Sequence, residues 1–201
     1  MQAGRSRGFT LIELSVVVMV VALLLGSLLV PLTTQVEQRN VSETQKRLQE
    51  VRDALIGYAI VNRRFPCPAV STGASTDTGT EKFAAGGDLV NGLCANFTGG
   101  FVPGATLGLS NLDSQGFVVD AWGLQQNRIR YAIADTSTVS VSHVFTGLDK
   151  MRTSGIVTAS GGPIAFLTVC SASPSGTAPF TACANAQQTL SSDAVFIVYS
   201  V

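Results

Sequence analysis

The chain has 201 residues, with 13 Lys and Arg against 13 Asp and Glu, and 46% hydrophobic residues beside only 13% charged. That balance excludes a polycationic nucleic-acid binder and a charge-rich disordered chain. The length allows one or two domains with a real core.

The first predicted element is a span. Residues 9–30 carry a single charge, Glu13, in a mainly apolar run of 22 residues. As a helix this run would be roughly 33 Å long, enough for a hydrocarbon core of about 30 Å. An ordinary signal peptide has a shorter apolar region followed by a small-residue cleavage site. Here Pro31-Leu32-Thr33-Thr34 offers no clear site. A plain single-pass anchor fits the length but leaves Gly8 and Glu13 unexplained. Arg5 and Arg7 precede the run, which favours a cytoplasmic N-terminus and puts the rest of the chain outside the cytoplasmic membrane. An ionisable group in hydrocarbon is costly and tends to be functional, so Glu13 needs a role.

Gly8-Phe9-Thr10-Leu11-Ile12-Glu13, behind a basic leader and ahead of the apolar run, resembles the N-terminus of class III signal proteins: type IV prepilins and type II secretion pseudopilins. The resemblance is specific over residues 1–30. It implies cleavage by a membrane peptidase between Gly8 and Phe9, methylation of the new Phe9 amine, and a carboxylate, Glu13, at the fifth mature position. In that family the carboxylate is held to meet the N-terminal amine of a neighbouring subunit. Among packed helices such a pair would set register, because a lone buried charge is strongly unfavourable and a paired one less so. The alternative is a carboxylate at the membrane edge that stays wet or protonated. Loss of residues 1–8 would take Arg5 and Arg7 from the 13 basic residues, leaving 11 against 13 acidic and a formal charge of −2.

Beyond Pro31 the helical pattern continues. Val41, Leu48, Val51, Leu55 and Tyr58 recur at helical spacing, with Glu37, Arg39, Lys46 and Glu50 among the polar residues of the other faces. Glu43 and Arg47 stand at a favourable i,i+4 spacing. An amphipathic extension is predicted over residues 31–62. Arg63 and Arg64 suit its negative C-terminal end, and Phe65-Pro66-Cys67-Pro68 stops it. Gly26 and Pro31 weaken the hydrogen-bond ladder between them, which predicts a kink or a melted segment there.

Residues 63–201 are rich in Gly, Ser, Thr and Ala. The stretch 71–100 holds seven glycines and little periodicity and is predicted as a long loop region. Strands are predicted at 116–120, 128–134 and 139–145, the last two by clean alternation. The apolar runs 164–170 and 194–201 read as strands buried on both faces or close to the helix. One long helix and about four strands make an α+β head in which an antiparallel sheet covers the amphipathic half-helix. Asp120-Ala121-Trp122-Gly123 with Arg130-Tyr131 resembles the Asp-x-Trp-Gly…Tyr stretch that opens the sheet in pseudopilins. Residues 53–59, running into Phe65-Pro66-Cys67-Pro68, are similar to bacterial prepilin-type proteins of unassigned role. Trp122 itself reads as a core aromatic beside a turn glycine.

Cys67, Cys94, Cys170 and Cys183 all lie outside the membrane by this topology, where disulfides form. Three pairings exist on paper. Pairing Cys67 with Cys94 and Cys170 with Cys183 closes the shortest loops. A disulfide-bounded C-terminal loop is common in type IV pilins, so the resemblance points the same way for the second pair. Zinc is the rival reading, but there is no Cys-x-x-Cys pair and one histidine, His143. Any nucleophilic triad would need His143 as base, and its predicted strand face is shared with Val139, Val141 and Phe145. A structural histidine is expected. No phosphate loop or dinucleotide fingerprint is present. Some major pseudopilins bind calcium. Asp113, Asp135 and Asp149 are candidate oxygen ligands whose spacing forms no motif.

The expectation is therefore an α+β, pilin-like chain that is not an enzyme. Its parts are a cytoplasmic leader (1–8), a transmembrane helix (9–30), an amphipathic extension (31–62) and a periplasmic β-rich head (63–201). The resemblance implies an inner-membrane structural subunit, a pseudopilin or minor pilin. Its partners would be the prepilin peptidase, other pilins or pseudopilins in a filament, and an inner-membrane assembly platform. No cofactor, metal or nucleic acid is expected, with calcium kept open. The alternative is a minor pilin whose head binds a ligand, a surface or DNA.

Overall fold

A computed structural model describes residues 8–134, 143–154, 166–171, 183 and 188–200, with backbone alone for 27–33 and 154. The chain divides into two compact units, Met1–Ser42 and Glu43–Val201. Helix α1 (Leu11–Asn62) enters both.

Over residues 11–26 the helix is mainly apolar on every side and exposed. Leu11 is 87% exposed, and Val21, the least exposed of the large apolar side chains in that stretch, is 46% exposed. Helical backbone continues through Gly26 and Pro31. The Pro31 side chain, and with it the expected kink, lies outside the described residues, as do Arg5 and Arg7. Val41, assigned to the buried stripe, is 43% exposed. The stripe starts three residues later, at buried Thr44, because nothing within this unit covers Val41.

In the second unit α1 buries a true stripe. Thr44, Val51 and Leu55 are buried, with Leu48 packed beside them. Their spacing puts them on one face. Each fully buried Val or Leu contributes about 1.5–3 kcal/mol through removal from water. The helix ends where Arg63 takes φ +57°, a left-handed conformation that cannot continue the ladder. Asn62 Nδ2 also donates to the carbonyl of Tyr58 at 3.0 Å, in the last turn.

Five short strands follow: β1 (Gly100–Phe101), β2 (Arg130–Ile133), β3 (Leu167–Cys170), β4 (Thr189–Ala194) and β5 (Phe196–Tyr199). They make two antiparallel sheets, β1-β2-β5 and β3-β4. The β2–β5 register sets Arg130 opposite Tyr199 and Ile133 opposite Phe196. Tyr131 and Ile133 meet Val51, Leu55, Val102, Val118, Ile129 and Phe145 in one core, with Phe196 and Val198 packed on its edge. The fold is thus α+β, with an N-terminal helix ahead of a small antiparallel sheet domain. Helices α2 (Gly104–Leu107) and α3 (Lys150–Ser154) are single turns.

Several strand assignments need correction. Residues 116–120 form isolated bridges, Leu112 to Val118 and Val119 to Arg128, because Gly116 at φ +84° turns the chain before a ladder can grow. His143 is in a loop and Val144–Thr146 in a turn, so the predicted strand 139–145 does not extend over its last three residues. Residues 139–142 lie outside the described ones. The run 194–201 is divided: Val195 bends, leaving Ala194 in β4 and Phe196–Tyr199 in β5. Strands β3 and β5 are half-buried, not buried on both faces, because each lies at the edge of a small sheet. Residues 164, 165 and 201 fall outside the description. The long loop 71–99 contains no helix or ladder strand, only an isolated Phe83–Cys94 bridge. Side-chain caps hold it. Asp77 accepts from Thr72 N, Gly73 N and both neighbouring hydroxyls, and Asp88 Oδ1 accepts from Val90 N and Asn91 N.

Candidate functional site

The N-terminal segment opens α1 through a reciprocal cap. Thr10 precedes the first helical residue, Leu11, and Glu13 stands at the third helical position. Glu13 Oε2 accepts from Thr10 N at 3.0 Å and from Thr10 Oγ1 at 2.9 Å. Glu13 N donates back to Thr10 Oγ1 at 3.4 Å. Two N–H groups that no helical carbonyl can reach are satisfied, as in a capping box. A negative side chain in the first turn also opposes the positive end of the helix dipole. Sequence reasoning passed over Thr10. The signal was present, because Thr-x-x-Glu directly before an apolar run is the pattern of such a box.

Around this cap the surface is open. Phe9 is 82% exposed, and a Cβ added at Gly8 would meet nothing within 4 Å. Phe9, Ile12, Glu13, Val16 and Val17 line one shallow hollow of the helix. The Gly8–Phe9 bond therefore lies in uncovered backbone, next to a carboxylate and an apolar rail.

Residues 4–29 match the prokaryotic N-terminal methylation motif. The match takes in Gly8, Phe9, Thr10, Glu13 and Gly26 and ends before Val30. That match is consistent with a type IV pilin-like protein. No curated protein and no solved structure matches the chain. Among the described residues no helix is long and apolar enough to cross a membrane. The apolar part whose side chains are described, residues 11–26, would be about 24 Å long.

Away from the methylation motif the structure distributes the other candidate residues. Cys67 is bonded to Cys94 and Cys170 to Cys183, with Cα separations of 5.3 and 5.6 Å. No thiol remains for zinc. His143 is buried and stacks on Phe97 at 4.9 Å between centroids. Asp113 is held by Arg128 at 2.7 Å and Asp149 by Arg63 at 3.0 Å, while Asp135 lies outside the described residues. Among the described residues no group of three or more His, Cys, Asp or Glu could hold a metal ion.

Trp122 corrects its prediction. It is 43% exposed and not in the core. The buried member of Asp-x-Trp-Gly is Asp120, 1% exposed. Its Oδ1 accepts from Trp122 N at 3.0 Å, and its Oδ2 from Asn127 Nδ2 at 3.0 Å and Ser200 Oγ at 3.5 Å. Arg47 Nη1 donates to the Val119 and Asp120 carbonyls. Gly123, at φ +70°, completes the turn. The stretch thus ties the second half of α1 and the residue after β5 to one buried carboxylate turn.

Proposed function

We propose that the chain is a prepilin-type structural subunit, a pseudopilin or minor pilin, cleaved after Gly8 and N-methylated at Phe9. It assembles through its N-terminal helix into a pilus or pseudopilus serving type II secretion or type IV pilus function. One observation carries the reading: the methylation motif over residues 4–29 begins a helix whose apolar side chains over residues 11–26 are exposed on every face. A helix apolar all round belongs in a membrane or among other helices.

In this reading residues 9–30 lie in the inner membrane before assembly, with the leader cytoplasmic and the head periplasmic. The prepilin peptidase and an inner-membrane assembly platform are partners. Cleavage frees an α-amine at Phe9, basic at neutral pH. Glu13 is four residues on and already oriented by Thr10. In a dry contact between helices, a neighbour's amine would find a carboxylate already held in place, and pairing removes most of the cost of burying either charge. Arg47, Arg63, Arg64 and Arg128 are each in an ion pair.

The test is intact mass and N-terminal sequencing of membrane-extracted protein, from cells with and without the prepilin peptidase. The expected mature chain starts at Phe9 and carries one methyl group. Retention of residues 1–8 in peptidase-positive cells overturns the reading.

A further inference from the structure

The two disulfides occupy opposite environments. Cys67 and Cys94 are 0% and 4% exposed. Cys67 follows buried Pro66, whose carbonyl accepts from Tyr131 Oη at 3.2 Å, and Cys67 N donates to Glu81 at 3.3 Å. This bond fastens the segment after α1 to the loop before β1, inside the core region. Cys170 and Cys183 are only half-buried. Cys170 is the last residue of β3, opposite Thr189, and belongs to a two-stranded sheet whose partner strand β4 is mostly exposed. Neither Cys170 nor Cys183 is among the buried residues, whereas Cys67 and Cys94 are.

Thiol–disulfide exchange needs in-line approach of a thiolate to one sulfur and departure of the other as a thiolate. Burial blocks the first step and penalises the second, because a thiolate in apolar surroundings is disfavoured.

From these differences we propose that Cys170–Cys183 is a thiol–disulfide exchange site for a dithiol reductant, while Cys67–Cys94 is a permanent structural bond. One thiolate of the reductant attacks Cys170 or Cys183 Sγ, forming a mixed disulfide and expelling the other cysteine as thiolate. The second thiol of the reductant then displaces the protein sulfur. Two electrons pass to the protein, the reductant closes its own disulfide, and the two cysteine thiolates take up protons according to pH. The β3–β4 pairing persists through Leu167 opposite Ala194 and Val169 opposite Ser191, so the change stays local. The proposal does not rest on the filament reading.

Full-length protein in detergent micelles is titrated with dithiothreitol, quenched by alkylation and mapped by mass spectrometry. Cys170 and Cys183 are expected to label at reductant concentrations at least tenfold below those that label Cys67 and Cys94. The unfolding transition of the half-reduced protein should remain cooperative. Labelling of both pairs together, or of Cys67 and Cys94 first, overturns the proposal. So does recovery of four free thiols before any reductant is added. A Cys170→Ser/Cys183→Ser double variant keeps the test independent of reductant. It should retain the cooperative transition, whereas loss of the core transition in that variant would show the bond to be structural.

Discussion

Arg64 and Glu81 form a two-pronged ion pair in the head: Nη1 donates to Glu81 Oε2 at 2.8 Å and Nη2 to Oε1 at 2.7 Å. Arg64 follows the end of α1, and Glu81 belongs to the glycine-rich loop. The guanidinium is nearly enclosed, with its side chain 4% exposed, and also donates to Tyr58 Oη at 2.8 Å. Burial works against its charge, but the bonds and charge of Glu81 outweigh that and raise its pKa. Replacing Glu81 with Ala strands a buried cation, which costs about 3 kcal/mol. The melting temperature of the head should fall by roughly 10 °C. Removing both partners in Arg64→Met/Glu81→Ala should cost less than the sum of the two single changes. Strict additivity in a double-mutant cycle would deny the coupling.

Tyr131 predicts an alkaline limit to stability. Burial, helped by the charge of Glu81, pushes its pKa well above the ordinary tyrosine value. Tyr58 is raised in the same direction, first by burial and then by Glu81. A raised folded pKa means that the folded state holds the proton longer than the unfolded state. The resulting stability is present in full below about pH 10 and is lost as pH climbs toward the folded values. Denaturant midpoints should therefore stay level up to about pH 10 and fall beyond it. Tyr131→Phe should lose about 1 kcal/mol at neutral pH, through its bond to the Pro66 carbonyl, and show a shallower alkaline decline. An unchanged alkaline limb in that variant would remove Tyr131 from the explanation.

Thr10 and Glu13 separate two roles of one carboxylate. Glu13→Gln keeps an acceptor for Thr10 and removes the charge, whereas Thr10→Ala keeps the charge and removes the hydroxyl of the cap. Each loss at the helix start should cost about 1 kcal/mol of local helix stability. If charge pairing with a neighbour governs assembly, Glu13→Gln and Glu13→Ala should both lower the filament-to-membrane ratio severalfold at equal expression. Thr10→Ala should lower it less. Membrane insertion should be unharmed or improved by either Glu13 change. Wild-type assembly of Glu13→Gln would assign the residue to capping alone.

Much of the N-terminal half was legible because its signals are local. A long apolar run, a basic leader and Gly-Phe-Thr-x-x-Glu are readable without any knowledge of what packs where. The same holds for the end of α1, where Phe65-Pro66-Cys67-Pro68 forbids helix. Thr10 was legible too, through the spacing of the capping box. In the head, alternation identified 128–134, whose central residues form β2. It failed at 143–145 because the pattern of apolar residues there also suits a packed turn, and His143 and Phe145 are buried without a ladder.

By itself the sequence determined which segment is apolar all round and where the helix stops. These depend on residues within one or two helical turns of each other. Only the tertiary structure decided that Asp120 rather than Trp122 goes inside, that Arg64 finds Glu81 across the glycine-rich loop, and that the two disulfides differ in burial. Each of those outcomes depends on residues distant in the chain sharing a low-dielectric space. There an unpaired charge or an unbonded carbonyl is too costly to leave, so the partner that satisfies it is selected by packing and not by spacing.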